Sequence, residues 1–397
     1  MVHKSWLTGW RGGQVRMELP LQFRGFRRGV LPLFAAATAI AGGLLIGGIT
    51  RANSEYQVQG LGIPSGGTAS AALAINSTGD AVGYAAVGGY SQGLLFSGGG
   101  YSITLSPGGT NWVNTAINDS GQIAGYGADS SGYSIAFVVS SGNISDIGSL
   151  SGPLGNPTSQ GSGIDSAGDV VGNSGTNAGT TNAFLYPAGG TMIDLATLGG
   201  SSSYATGISA NGQYIVGYSG TSANQNHAFL YSTASQSMSD LGTLGGSASY
   251  ALAVNNSGHV VGYSTTVSSS DSHAFLYNGT TMEDLGDPNN LGSYATAINS
   301  SDIVVGYYAV AGGGTLAFVD SGGTLAALNS LLTANSGWNL EAATGINDSG
   351  DIVGYGTNPN GQIEAFELTP VPEPATLVLF ALGGLGLMLR KRGGSRE

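Results

Sequence analysis

The chain of 397 residues contains no cysteine, which removes disulfide scaffolds, thiolate metal sites and thiol catalysis together. Positive charge is nearly as scarce, and its placement says more than its amount. All eleven basic residues lie in two end segments: Lys4, Arg11, Arg16, Arg24, Arg27, Arg28 and Arg51 at the front, and Arg390, Lys391, Arg392 and Arg396 at the back. Between Ala52 and Leu389 there is no Lys or Arg, whereas twenty of the 23 acidic residues fall between Glu55 and Glu367. That central stretch therefore carries a formal charge of −20. It repels phosphate and anionic lipid, and nucleic-acid binding is excluded because the cations it needs are missing. The same lack leaves no cleavage site for trypsin-like proteases, which suits life outside the cell. Segments of helical period are also missing from the centre, and the 70 glycines follow no three-residue period, so collagen is excluded.

Long apolar runs occur only at the two ends. Arg24, Arg27 and Arg28 precede an apolar stretch from Val30 to Ile49, and Thr50-Arg51-Ala52 ends in a small residue. This is the order of a secretory signal helix, and residues 1–52 are expected to form an export leader, with Met17 a second candidate start. A run of this length could also remain as an uncleaved membrane anchor. At the other end, Val371-Pro372-Glu373-Pro374 is followed by an apolar run from Ala375 to Leu389 and then by Arg390-Lys391-Arg392. The two prolines keep the chain before the run extended. The basic cluster obeys the positive-inside rule and stops transfer, so a transmembrane helix is expected in 371–397.

This tripartite tail resembles the PEP-CTERM sorting signal of Gram-negative bacteria that make exopolysaccharide. The resemblance implies recognition by an exosortase-type membrane enzyme, processing near Pro372-Glu373-Pro374, and passage from the inner membrane to the cell surface or extracellular matrix.

Between the ends, residues 53–370 are a seven-fold repeat. The phrase Ala-Ile-Asn-x-Ser-Gly-x-Ile-Val-Gly-Tyr places its second Gly at Gly83, Gly125, Gly172, Gly217, Gly262, Gly306 and Gly354. A second phrase, fullest as His-Ala-Phe-Leu-Tyr, places Phe96, Phe137, Phe184, Phe229, Phe275, Phe318 and Phe366. A third, Met-x-Asp-Leu-Gly-x-Leu-Gly-Gly, is clearest at Met192 to Gly200 and Met238 to Gly246. Each unit of roughly 45 residues breaks into four short β-branched and aromatic segments, such as 250–254, 259–263, 273–277 and 282–285, bracketed by Gly, Asn and Ser. The fold class is therefore all-β, and four strands repeated seven times predict a seven-bladed β-propeller. An open β-solenoid is the competing architecture. The ends argue for a ring: the last unit lacks its Asp-Leu-Gly strand, and Tyr56 to Gly62, ending in Leu61-Gly62, supplies one at the front.

These phrases resemble the HAF family of extracellular repeats. The His itself stands only at His227 and His273; Leu94, Ile135, Asn182, Leu316 and Glu364 occupy its expected place elsewhere. The resemblance implies export and a repeat fold rather than a reaction.

No nucleophile elbow, zincin helix or Lys-bearing phosphate loop is present, and no enzymatic activity, catalytic residue or cofactor is predicted. Asp146, Asp194, Asp240 and Asp284 recur at one position and read as turn caps within their own units. Asp165, Asp169, Asp348 and Asp351 are the candidate ligands for loosely bound calcium. The Asn-x-Ser/Thr triplets at Asn76, Asn118, Asn255 and Asn347 coincide with the repeat turn. The expected function is a non-enzymatic cell-surface or matrix protein. The alternative is a module binding a glycan or protein, with Trp112 and Trp338 as aromatic platforms; a propeller hydrolase would need acids converging at the channel mouth.

Overall fold

A computed structural model describes residues 55–371 apart from 105–108, 152–156, 268–270 and 334–335. The expected signal helix and transmembrane helix lie outside the described residues. Within them the chain forms seven antiparallel sheets of four strands each, the blades of a β-propeller. No α-helix occurs among the described residues; a 3-10 turn spans Leu328–Leu331.

Blade 4 illustrates the plan. Its innermost strand a is Gly199–Ile208, followed outward by b (Tyr214–Thr221), c (Asn226–Ser232) and d (Ser237–Asp240). Six blades use four consecutive strands. The seventh takes a, b and c from Asn339–Ile346, Ile352–Thr357 and Ile363–Pro370, and its outer strand is Tyr56–Gly60 from the other end of the sequence. That strand runs antiparallel to strand c, with Tyr56 opposite Pro370 and Gly60 opposite Phe366.

The ring closes with the same bonds that join its other members. Thr296 Oγ1 donates to the carbonyl of Ala343 at 2.7 Å between blades 6 and 7, and Thr344 Oγ1 donates to that of Ala72 at 2.8 Å between blades 7 and 1. An open solenoid would leave the last of these unmade, so the ring is the architecture.

The repeated Gly of strand b is required by strand a. Each strand a carries a bulge beside it, as between Ala205 and Gly207 in blade 4, which pushes a backbone carbonyl toward strand b. A Cβ on Gly217 would collide with the carbonyl oxygen of Tyr204, and one on Gly262 with that of Tyr250. The Phe of strand c packs over this glycine, with Phe137, Phe184, Phe229, Phe275, Phe318 and Phe366 fully buried between blades.

Blade 1 departs from the repeat assignment. Gly83 pairs with Leu94, not Phe96, and Tyr84 pairs with Gly93. Leu94 therefore stands where the other blades have Phe, Gln92 stands where they have His, and Phe96 occupies the place of Tyr231 in blade 4. Strand faces repeat every two residues, so an offset of two keeps both side chains buried and hides the change from a pattern reading.

Sequence reading also missed a buried serine in strand a. Ser159 Oγ donates to the carbonyl of Gly148 at 2.6 Å and accepts from the Ala136 amide at 2.9 Å. Ser293 does the same with Gly286 and Ala274, and Ser70 with Gly62 and Ala365, which again joins blade 1 to blade 7. Each satisfies one donor and one acceptor that packing of neighbouring blades would otherwise bury unpaired. In blade 2 that position is Trp112; two residues on, opposite the strand-b glycine Gly125, Asn114 bonds through its amide to Leu94 and Thr104, and a Cβ on Gly93 would lie 2.8 Å from its Oδ1, so the larger side chain requires glycine there.

Candidate functional site

The a–b turns meet around the axis and line a cavity of about 190 Å³. Ile75, Ile117, Ile164, Val254, Ile298 and Ile346 form its inner wall, and Asn76, Asn118, Asp165, Asn255, Asn299 and Asn347 its rim. Asn299 illustrates why the turn uses this residue. Its Oδ1 accepts from the amides of Ser301 and Ile303, both at 3.0 Å, while its Nδ2 donates to the Asn347 carbonyl of the next blade at 3.2 Å. One side chain thus folds its own turn and joins it to the next. Asn347 hands the same bond to Asn76 and completes the circuit from blade 7 to blade 1. These asparagines are buried, so the Asn-x-Ser/Thr triplets at Asn76, Asn118, Asn255 and Asn347 are turn residues and not exposed acceptors.

Asp165 interrupts the circuit. It accepts from the amides of Ala167 and Asp169 as an asparagine would, but burial pushes its carboxyl above the ordinary value of 3.8 against the lowering effect of those amides. Asp119 and Asp348 reach the same rim, where each accepts an amide hydrogen from the preceding blade, Ser77 at 2.9 Å and Ser300 at 2.8 Å. Acids from three blades therefore converge at this mouth, each engaged by backbone.

The calcium candidates separate into two pairs on blades 3 and 7. Asp165 and Asp169 share one turn, and Asp169 also accepts from the Ala188 amide; Asp348 and Asp351 share another, where Asp351 accepts from Asn347 Nδ2. Among the described residues no group of three or more His, Asp or Glu could hold a metal ion.

The His and Asp of the repeat phrases turn out to be two halves of one contact. His227 Nδ1 lies 2.8 Å from Asp240 Oδ2 and His273 Nδ1 lies 2.9 Å from Asp284 Oδ2, each pair within a blade. The same aspartates accept the amides of Gly242 and Gly286 and so cap the d–a turn. In blade 3 Asn182 takes the histidine's place against Asp194. His259 bridges instead to Asp302 of the next blade at 2.8 Å.

Of the two tryptophans, Trp112 is buried against Phe137 with ring centroids 4.9 Å apart, so it is core and no platform. Trp338 is half-buried and meets Phe366 edge-on. The aromatic surface lies elsewhere, at the Tyr that closes the first repeat phrase. Tyr218, Tyr263 and Tyr307 on strands b stack on Tyr204, Tyr250 and Tyr294 on strands a at 4.8, 4.8 and 5.0 Å. Edge contacts at 4.9 Å join Tyr218 to Tyr250 and Tyr263 to Tyr294, so the rings run unbroken across blades 4 to 6. Burial, and then the neighbouring phenols, push the Tyr263 hydroxyl up to about 12.

The ends of the described chain meet at the outer edge of blade 7, where the Val371 amide donates to the Glu55 carbonyl at 2.8 Å. Pro372, Glu373, Pro374, Arg390, Lys391 and Arg392 lie outside the described residues.

Comparison with known proteins identifies the tail first. Residues 370–392 match the family model of the PEP-CTERM protein-sorting motif. That motif points to export, membrane-associated sorting and an exosortase as processing partner. No curated protein matches the chain. Among solved structures, a streptogramin B lyase superposes with a TM-score of 0.50 at 13% identity, covering 79% of this chain and 98% of its own. TolB from Acinetobacter baumannii gives 0.41 at 13% identity, covering 85% of this chain and 68% of its own. The propeller domain of a trilobed protease from Pyrococcus furiosus gives 0.45 at 8%, covering 66% and 85%. At these identities the likeness establishes the propeller fold alone.

Proposed function

We propose that this is an exported, non-enzymatic propeller of HAF type, displayed at the cell surface or in the exopolysaccharide matrix of a Gram-negative bacterium after sorting through its C-terminal signal. The observation that carries the reading is the contact between Glu55 and Val371. Both targeting segments leave the outer edge of one blade, and every strand of the ring lies between them. Either segment can be removed without opening a sheet. The body of charge −20, free of Lys and Arg, agrees with exposure to extracellular proteases. Non-enzymatic character is supported by the carboxylates of the axial mouth, which hold backbone amides, and by histidines paired within the fold.

Fractionation of cells expressing the intact chain, a Glu373→Ala variant and a chain ending at Val371 tests this. The intact protein is expected at the surface or in the matrix, the Glu373→Ala protein retained in the inner membrane, and the truncated protein released without surface retention. Normal processing and display of Glu373→Ala would overturn the sorting step.

A further inference from the structure

The strand-b tyrosines are not equivalent around the ring. In blades 4 to 6 each ring face is taken by a strand-a tyrosine. In blades 7, 1 and 2 the strand-a residues opposite Tyr355, Tyr84 and Tyr126 are Ala342, Ala71 and Val113. Among the described residues these three tyrosines make no ring–ring contact, yet they remain half-buried. They form a crescent close to the axis, four residues along strand a from the isoleucines of the Asn-rimmed mouth. At roughly 3.3 Å per residue that is about 10–13 Å. Tyr250, at the equivalent level, touches Asn226 at the b–c turn, so the tyrosine level lies toward the opposite face from the asparagines.

We infer that this crescent of Tyr355, Tyr84 and Tyr126 binds a neutral polysaccharide. Three unstacked phenol rings offer apolar faces to the C–H faces of pyranose rings. Their hydroxyls donate and accept as sugar hydroxyls require. Burial raises all of Tyr126, Tyr355 and the neighbouring Tyr307 further from ionisation, and the Tyr84 phenol is close enough to influence both Tyr126 and Tyr355. Tyr126 and Tyr355 therefore stay neutral hydrogen-bonding groups. Glu341 adds a carboxylate acceptor beside Tyr355, held at Oε1 by Thr357 at 2.6 Å. Charge selects among carbohydrates: a body with twenty acids and no Lys or Arg disfavours uronic or phosphorylated polymers, which need a cationic partner. The inference goes beyond surface display, because binding by purified protein does not depend on how the tail is processed.

The test is affinity gel electrophoresis of the full-length chain in mild detergent, through gels holding dextran, laminarin, galactomannan or polygalacturonate. At least one neutral polymer is expected to retard the protein and polygalacturonate is not. Tyr84→Ala with Tyr355→Ala should weaken retention at least tenfold, and Tyr101→Ala on the outer edge of blade 1 should leave it unchanged. Should the double variant fail to fold by circular dichroism, nitration of the wild-type protein replaces it: bound polymer should suppress labelling of Tyr84 and Tyr355. The proposal is overturned if no neutral polymer retards the protein, if polygalacturonate retards it equally, if retention survives the double substitution, or if labelling is unaffected by polymer.

Discussion

Glu364 Oε1 accepts a hydrogen bond from the Gly62 amide at 2.8 Å, joining residues 302 positions apart. In blade 4 the corresponding amide, Gly242, is capped by Asp240 on its own strand d. In blade 7 strand d comes from the start of the body and has Gly60 in the aspartate's place, so the carboxylate is supplied from strand c. A Cβ on Gly60 would lie 2.6 Å from that oxygen. The seam that closes the ring is thus capped by the same chemistry with the donor strand exchanged.

Glu364→Ala is expected to destabilise the propeller by about 1–2 kcal/mol, the size of a hydrogen bond to a charged group with partial solvent screening. Hydrogen exchange should quicken first at the amides of 57–62. Gly60→Ala should also destabilise, and its cost should fall when combined with Glu364→Ala, because the closest clash is then removed and the 3.1 Å approach to the Trp338 ring is what is left. Additive effects would contradict the geometry.

Gly217→Ala should cost about 3 kcal/mol or more, since its Cβ would meet a backbone carbonyl that cannot move without breaking the bulge. Gly220→Ala, three residues along the same strand, is the control. Its nearest contact would be an ordinary 3.5 Å and its cost is expected within about 0.5 kcal/mol. Urea unfolding of both variants decides it.

Asp165→Asn is expected to stabilise the protein at neutral pH by about 1 kcal/mol, because the amide keeps both turn bonds without burying a charge. The native carboxyl titrates above 3.8, so the folded state favours its protonated form. Its contribution is fully present below 3.8 and is lost as pH rises through the raised value. The gap between variant and native protein should therefore close on acidification toward pH 3.8. Melting curves across that range provide the check, and a gap independent of pH would exclude this cause.

His227→Ala should cost less than about 1 kcal/mol, because the pair is partly exposed and Asp240 keeps its bond to Gly242. Asp240→Ala loses the turn cap as well and should cost more. Equal losses would mean that the pair, and not the cap, stabilises the turn.

Much of this architecture was legible because a propeller repeats its local chemistry. The Gly of strand b serves a contact made seven times, the Asn of the a–b turn one made five times and the Asp of strand d one made four times, and recurrence exposes such positions. The seam was legible for the same reason, since a missing Asp-Leu-Gly phrase at one end matched a surplus one at the other. Contacts made once were not. The shift of the strand-c register in blade 1 depends on a hairpin between Val87 and Tyr90 that pairs them directly, and an alternating pattern cannot count residues in a turn. Trp112 read as a surface platform because no local signal reports that it packs over Gly127. The tyrosines were visible as the last letter of a phrase, but their edge contacts join neighbouring blades, as Tyr218 to Tyr250 and Tyr263 to Tyr294, residues some 30 positions apart in sequence.

By itself the sequence determined the address, the sign of the surface and the unit of structure: basic charges confined to the ends, a Pro-Glu-Pro tail and a seven-fold phrase are properties of residue order. Tertiary structure decided what those units do to one another. Closure through Glu364 and Gly62 joins the two ends of the chain in one sheet, the circuit of asparagines joins blade to blade, and edge contacts carry the stacked tyrosines from one blade to the next. Such contacts depend on the angle and distance at which neighbouring sheets meet, and these are set only when the whole ring is formed.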